Sequence, residues 1–348
     1  MGPLRFGIIG CGGIANIHAE ALKRLEAEGL AKLVAGGEPH PERRAQFGAK
    51  WSIPMHESLE ALLARSDLDA VIIASLGGLH GRQAAQIAKS GRHILCEKPL
   101  DTRVERAAAA IAAAKENKVV LGGIFQQRFA ANAMKVKRAI DAGFFGQIIL
   151  AQCETPWYRA QAYYDQSTWR GTWNMDGGVL SNQAPHMIDR LLWLAGDVDE
   201  VLSASCAAGF LRKIEAETLA VAALRFKNGA LGTITGTTLA YEGLPPRVMV
   251  CGTEGSAILC DDELLYFKTA RPFEDSTPMA NVTTGALGDK RASQPLALSA
   301  DFHQANIRDF VLAIRDGRTP MVSAEDSLRV VRVINMIYEK AKVGPYAR

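Results

Sequence analysis

Residues 5–25 read RFGIIGCGGIANIHAEALKRL, and this stretch decides the fold of the first third of the chain. Arg5–Ile9 is a short apolar run that ends at a glycine, which predicts a buried strand. Ile14, Ile17, Ala21, Leu22 and Leu25 recur at helical spacing and predict a helix over Ile14–Leu25. Between strand and helix lies Gly10-Cys11-Gly12-Gly13-Ile14-Ala15. Gly10 permits a tight turn out of the strand. Gly12 leaves no Cβ between the backbone and an approaching pyrophosphate. Gly13 and Ile14 open the helix, whose free N–H groups and positive dipole end suit phosphates, and Ala15 keeps the helix close to the strand. The strand–turn–helix setting turns a glycine-rich run into a dinucleotide-binding fingerprint.

Outward from this stretch, strands and helices alternate. Strands are predicted at Lys32–Ala35, Ala70–Ala74, His93–Cys96 and Val119–Gly122, with helices at Pro41–Ala49, Ser58–Leu63, Gly81–Ser90 and Ala107–Asn117. That alternation predicts an α/β Rossmann domain over residues 1–125, a doubly wound parallel sheet. The pattern then changes. Gln147–Thr155, Glu200–Ala207, Thr218–Phe226, Leu231–Leu239, Arg247–Gly252 and Ser256–Cys260 read as strands, with Asn228-Gly229 as a hairpin turn. Helices are predicted at Ala131–Ala142, Asn182–Leu194, Phe302–Asp316 and Ala324–Lys342, and residues 271–299 read as a long polar loop. Residues 126–348 are therefore expected to form an α+β domain with a large open, mainly antiparallel sheet. Such a sheet has a flat face that needs covering, which predicts a homodimer or homotetramer.

Composition narrows the function classes. Charges of both signs are mixed and the net charge is only +3, with no basic block, so nucleic acid is not an expected partner. No apolar run approaches the ~20 residues of a membrane span. The six cysteines are scattered with no Cys-x-x-Cys pair, which fits buried thiols in a reducing cytoplasm rather than zinc or disulfides. No metal is expected.

The second strand runs out at Gly36-Gly37-Glu38-Pro39. A carboxylate there accepts hydrogen bonds from adenosine ribose hydroxyls and repels a 2′-phosphate, favouring NAD over NADP. Arg43 and Arg44 stand close enough to keep NADP open. At residues 96–100 the chain reads Cys-Glu-Lys-Pro-Leu after a strand. A lysine at the C-terminal edge of a parallel sheet faces the cofactor, and its ammonium can stabilise charge on a reacting oxygen and exchange a proton there.

Together with the glycine turn, this segment resembles the Gfo/Idh/MocA (glucose–fructose oxidoreductase-like) family. The resemblance extends to Ala74-Ser75…His80, Gly177-Gly178…His186…Asp189, and His303…Asp309-Phe310…Ala313-Ile314…Gly317-Arg318. It implies hydride transfer between a nicotinamide and a sugar or polyol carbon. It also implies that Lys98 hydrogen-bonds the reacting oxygen, that Pro99 follows a cis bond, and that His186 is a proton carrier beside the substrate. Ser75 and His80 are then expected around the nicotinamide, with Glu97 a structural partner of the cofactor loop.

Many members of that family carry Asp four residues before the histidine, where this chain has Asn182. An amide orients a hydroxyl but holds no proton, so acid–base work falls to Lys98 and His186. The Asn-Gln-x-x-His form resembles the branch that acts on pyranosides, including nucleotide-sugar 3-dehydrogenases. Four-residue spacing predicts Asn182 and His186 on one helix face. Tyr158, Arg159, Trp169 and Arg170 supply sugar-stacking rings and hydroxyl- or anion-binding guanidinia. Gln127 and Arg128 are expected to line the same cleft, and Asp189 to be structural. The leading expectation is an NAD(H)-dependent dehydrogenase of a sugar or glycoside, at C3. The rivals are a glycoside hydrolase working by transient C3 oxidation on bound NAD, and a non-catalytic dinucleotide-binding sensor.

Overall fold

A computed structural model describes residues 2–274 and 300–347. The expected loop at residues 271–299 falls, from residue 275 on, outside the described residues. The chain divides into two compact units, Met1–Gln126 with Leu298–Leu328, and Gln127–Ala297 with Arg329–Arg348.

The first unit is built on six parallel strands: β1 (Leu4–Ile9), β2 (Ala31–Gly37), β3 (Met55–His56), β4 (Ala70–Ile73), β5 (His93–Cys96) and β6 (Leu121–Gly123). Their order is β3-β2-β1-β4-β5-β6, so the winding reverses between β1 and β4. All four residues of β4 are buried, as expected of a central parallel strand covered on both faces. Ile8, Ile72 and Leu95 pack with Ala15, Ala19 and Leu22 of the helix Gly13–Ala27. Ile307, Phe310 and Val311 of the helix Ala300–Asp316 join the same core. That helix therefore belongs with the first sheet, whereas a single sequence cut at residue 125 assigns it to the second domain. Its apolar face fits either sheet, and nothing local in the sequence says which one it covers.

Among its described residues, the second unit holds seven strands: β7 (Ile148–Pro156), β8 (Val198–Ala208), β9 (Glu217–Phe226), β10 (Leu231–Thr237), β11 (Arg247–Gly252), β12 (Gly255–Cys260) and β13 (Glu263–Thr269). Their order is β13-β12-β11-β7-β10-β9-β8, antiparallel throughout except for β7 against β10. β9 and β10 form the expected hairpin. Gly229 takes φ +88°, and Asn228 Oδ1 accepts from Ala230 N at 3.1 Å. β13 lies beyond the expected strands. It is an edge strand with no buried residue, so it lacks the inward apolar set that marks a strand in sequence. One sheet face is buried through Ala151, Cys153, Ala222, Leu224, Ile234 and Val250. The other presents Gln152, Glu154, Val221, Thr233 and Thr235, none of them buried.

The helix expected at Asn182–Leu194 is broken. Val179–Asn182 is one short helix and Pro185–Ala195 another. Pro185 sits in the first turn of the second helix, where its missing N–H costs nothing. Asn182 and His186 consequently do not share one helix face.

Candidate active site

In the first unit, the segments after β1, β4 and β5 leave the sheet on its C-terminal edge, at the reversal of strand order where open α/β sheets bind ligands. Gly10, with φ +87°, follows β1. A Cβ there would lie 2.5 Å from the Ser75 Cα, so only glycine lets the two loops pass. Gly12 is the N-cap of the helix Gly13–Ala27, no side chain caps that end, and a Cβ at Gly12 would meet nothing within 4 Å. Gly13 and Ile14 form the first turn, and Ala15 is fully buried against the sheet. A long helix with an uncapped, side-chain-free N-terminus fits a dinucleotide pyrophosphate.

Glu38 is buried beside this turn. Its Oε2 accepts from Cys11 N at 2.9 Å and its Oε1 from His40 N at 2.9 Å. Arg43 Nη2 donates to Glu38 Oε1 at 3.2 Å, and Arg44 Nη1 donates to the Glu38 and Pro39 carbonyls. The two arginines are thus tied to Glu38 and Pro39. Burial and the Glu38 charge push the Cys11 thiol up to about 12, so it stays neutral.

The Lys98–Pro99 peptide bond is cis, as the resemblance implied. His80 is buried between the two loops. Its Nδ1 faces the Pro99 carbonyl at 2.7 Å and its Nε2 the Ser75 carbonyl at 3.1 Å. Ser75 Oγ donates to Gln83 Oε1 at 2.5 Å. Glu97 is buried behind Lys98. His18 Nε2 donates to Glu97 Oε1 at 2.7 Å, and Lys98 N donates to Glu97 Oε2 at 3.1 Å. His303 Nε2 lies 3.9 Å from the same Oε1. Burial alone would raise this carboxyl, but the His18 hydrogen bond and the charges of His18, His303 and Lys98 outweigh it and hold it at about 2.

In the second unit, Asn182 Nδ2 donates to Asp176 Oδ1, and Gly171 N donates to Asp176 Oδ2 at 2.8 Å. His186 is the second residue of the helix Pro185–Ala195 and is half-buried. Around Tyr163, the Arg170 guanidinium stacks at 4.4 Å and that of Arg159 at 5.4 Å. Arg170 also lies over Trp169, and Arg212 over Tyr158. Tyr158, Arg159, Trp169 and Arg170 therefore join one aromatic–arginine cluster that includes Tyr163. Burial lowers the Arg159 guanidinium from its ordinary value. Gln127 is buried, and its Oε1 has no hydrogen-bond partner among the described residues.

Arg128, expected at the cleft, is instead consumed. Its Nε and Nη2 donate to Asp189 Oδ2 and Oδ1 at 2.8 and 2.6 Å, both residues being almost fully buried. Such a bidentate buried pair is structural, since removing either partner strands the other charge. Asp189 is structural as expected.

The sequence reading missed Glu217. It is fully buried, and its Oε1 accepts from Leu180 N at 2.9 Å and from Tyr338 Oη at 2.8 Å. Its Oε2 has no hydrogen-bond partner among the described residues and would lie 1.9 Å from a Cβ at Gly178. Burial outweighs the two donated hydrogen bonds, the Asp176 charge adds to it, and the carboxyl rises to about 7. The Gly177-Gly178 pair was the available signal, since a glycine that admits no Cβ marks a close neighbour.

Comparison with known proteins places the chain in one family. The model of the oxidoreductase family's NAD-binding Rossmann fold (GFO_IDH_MocA) matches residues 4–125, and that of the GFO/IDH/MocA C-terminal domain matches residues 133–258. The WlbA dehydrogenase of Bordetella pertussis, solved with NADH and UDP-GlcNAcA, is 32% identical, with 98% of this chain and 97% of that one covered at a TM-score of 0.85. Myo-inositol 2-dehydrogenase of Thermotoga maritima is 26% identical over 329 residues, 93% of this chain and 92% of the relative. Levoglucosan dehydrogenase, at 24% identity and a TM-score of 0.83 over 97% of both chains, shares the fold.

Proposed function

Because the chain belongs to the GFO/IDH/MocA oxidoreductase family, we propose that it is a dehydrogenase acting on a secondary alcohol of a sugar or glycoside, with C3 of a pyranoside as the reacting carbon. NAD is its cofactor and CH–OH oxidation its class of reaction. The observation that carries the reading is the placement of Lys98 directly after β5, on the sheet edge that also bears the glycine turn.

Gly10, Gly12, Gly13, Ile14 and Ala15 would hold the pyrophosphate and Glu38 the adenosine ribose, with Ser75, His80 and Glu97 framing the nicotinamide end. Bound NAD supplies the hydride acceptor. Lys98, entering as the neutral amine, would take the hydroxyl proton as the carbon is oxidised and, as the resulting ammonium, return it in reduction, with His186 as a second proton carrier. Asn182 orients the ring, held by Asp176, and Gln127, Tyr158, Arg159, Trp169 and Arg170 bind the sugar. Glu38 favours NAD over NADP, since a 2′-phosphate would meet a buried carboxylate whose neighbouring arginines are already engaged.

The test is a panel of myo-inositol, neutral glycosides and a UDP-linked uronic acid, followed by NADH absorbance. One member is expected to drive NADH formation. Lys98→Met should lower kcat about 100-fold or more while NAD still binds. Full turnover in Lys98→Met, or glycosidic cleavage with no NADH, would sink the reading.

A homodimer or homotetramer through the open face of the second sheet is the assembly this fold favours. Gln152, Thr233, Thr235, Met249 and Ile258 line a shallow depression of about 320 Å³ there, and Val221 is 48% exposed. Thr235→Arg would place a charge in its middle and should shift the mass measured by light scattering towards the monomer. The six cysteines are free, which suits the reducing cytoplasm. No helix among the described residues is long and apolar enough to cross a membrane.

A further inference from the structure

We propose that His18, Glu97 and His303 form a buried positioning network that sets both the place of the Lys98 backbone and the protonation of its amine. The proposal rests on the reading of Lys98 as the proton-transfer residue. Three separate elements meet at one carboxylate: His18 from the helix Gly13–Ala27, His303 from the helix Ala300–Asp316, and Glu97 from the end of β5. All three side chains are buried, so their interactions are weakly screened.

One carboxylate oxygen faces the two imidazoles, at 2.7 and 3.9 Å. The other accepts the Lys98 backbone N–H at 3.1 Å. Glu97 is thus fixed from behind and fixes Lys98 in front. The coupling is electrostatic as well as geometric. The Lys98 charge is among those that hold Glu97 ionised, and the same interaction must favour the charged lysine. The imidazoles act in the opposite sense by drawing on the same carboxylate. His18 and His303 also meet edge to face, with ring centroids 5.1 Å apart, so the two rings pack directly against each other.

Other titratable groups near the segment are accounted for. The Cys96 thiol is pushed well up by burial and by Glu97 and Asp101, and stays neutral. Asp101 is bound by Arg106 at 2.9 Å and by Gly81 N and Arg103 N. His80 sits between the Pro99 and Ser75 carbonyls.

The test is an NMR titration of reductively ¹³C-methylated lysines in the NAD-bound protein, with the Lys98 signal assigned by its loss in Lys98→Met. Glu97→Gln removes the charge and should lower the Lys98 midpoint by about one pH unit. His18→Ala frees the carboxylate and should raise the midpoint by a smaller amount. His18→Gln, whose amide can stand in for the imidazole Nε2–H, should return it towards the native value. Turnover on the panel's substrate should follow, with kcat down about tenfold in His18→Ala and the KM for NAD little changed. Midpoints that stay put in folded Glu97→Gln and His18→Ala would overturn the proposal. So would a stoichiometric divalent ion copurifying with the native protein, because the three ligand-type atoms lie within 4.8 Å of one another. An active Lys98→Met would instead overturn the reading of Lys98, and the two failures are separable.

Discussion

Glu97 in the first unit and Glu217 in the second are both buried glutamates beside candidate site residues, and the two have opposite chemistry. Glu97 is surrounded by imidazoles and a lysine and is held ionised at about 2. Glu217 is surrounded by a backbone amide, a phenol and the Asp176 charge, and is lifted to about 7. Burial is nearly complete in both, so the difference comes from the partners alone. An imidazole hydrogen bond with positive charge nearby keeps a buried carboxylate ionised. Neutral donors leave it a group that takes up a proton near neutrality.

The largest effect expected from this contrast is on Glu97. Its folded value lies below the ordinary 4.5, so its contribution to stability is present above about pH 4.5 and is lost as the pH falls through about 2. Glu97→Ala should therefore destabilise the protein by roughly 3 kcal/mol at pH 7, because the His18 Nε2–H and the Lys98 N–H lose the buried ionised acceptor that holds them. The deficit should shrink in acid. Urea unfolding at pH 7 and at pH 3 measures both, and an equal deficit at the two values would show that the residue contributes packing rather than charge.

Glu217 should behave in the reverse sense. Its folded value lies above 4.5, so its contribution is full below about pH 4.5 and is lost as the pH rises through about 7. Above pH 7 the buried charge costs about 3 kcal/mol relative to the protonated form. Glu217→Gln keeps an acceptor for Leu180 N and Tyr338 Oη without the charge. It should stabilise the protein by up to about 3 kcal/mol at pH 8 and change little at pH 5. Thermal unfolding at the two pH values decides it, and a loss of stability at pH 8 would show that the ionised form is the one the unit is built around.

The two carboxylates also differ in how visible they were in the sequence. Glu97 is legible because it adjoins Lys98 in a tripeptide whose context after a strand is itself informative. Its partners are not. His303 lies far along the chain from His18, and no local spacing connects a histidine in the first helix with one near the end. Glu217 was hidden by strand periodicity. Alternation along β9 groups it with Leu219 and Val221 on the open face. The β8–β9 ladder slips between Ala207 and Ala208, beside its end of the strand, and the period fails there. The alternating first third and the hairpin at Asn228-Gly229 were legible because local chemistry sets them. The break between Asn182 and His186 was not, because a proline in a first turn fits the start of one helix as well as the start of a second. The allegiance of the helix Ala300–Asp316 was invisible for a related reason, since an apolar stripe specifies burial but not the sheet that provides it.

The smallest effect tests whether neutral donors alone restrain Glu217. The Tyr338 hydroxyl donates to Glu217 Oε1 at 2.8 Å and lies 3.2 Å from Ser181 Oγ, while the tyrosine ring meets Trp173 edge to face. Tyr338→Phe keeps the ring contact and removes the hydroxyl. A hydrogen bond to an ionised carboxylate is worth more than one to a neutral acid, so the cost should be about 1–2 kcal/mol at pH 8 and smaller at pH 5. Loss of that donor also leaves Leu180 N as the remaining described donor to Oε1, so the midpoint of the Glu217 titration should rise further above 7. The stabilisation by Glu217→Gln should then be larger in the Tyr338→Phe background at pH 8 than in the native one. Strict additivity of the two substitutions would mean that the hydroxyl and the carboxylate are neighbours without being coupled, and that burial by itself sets the proton affinity of Glu217.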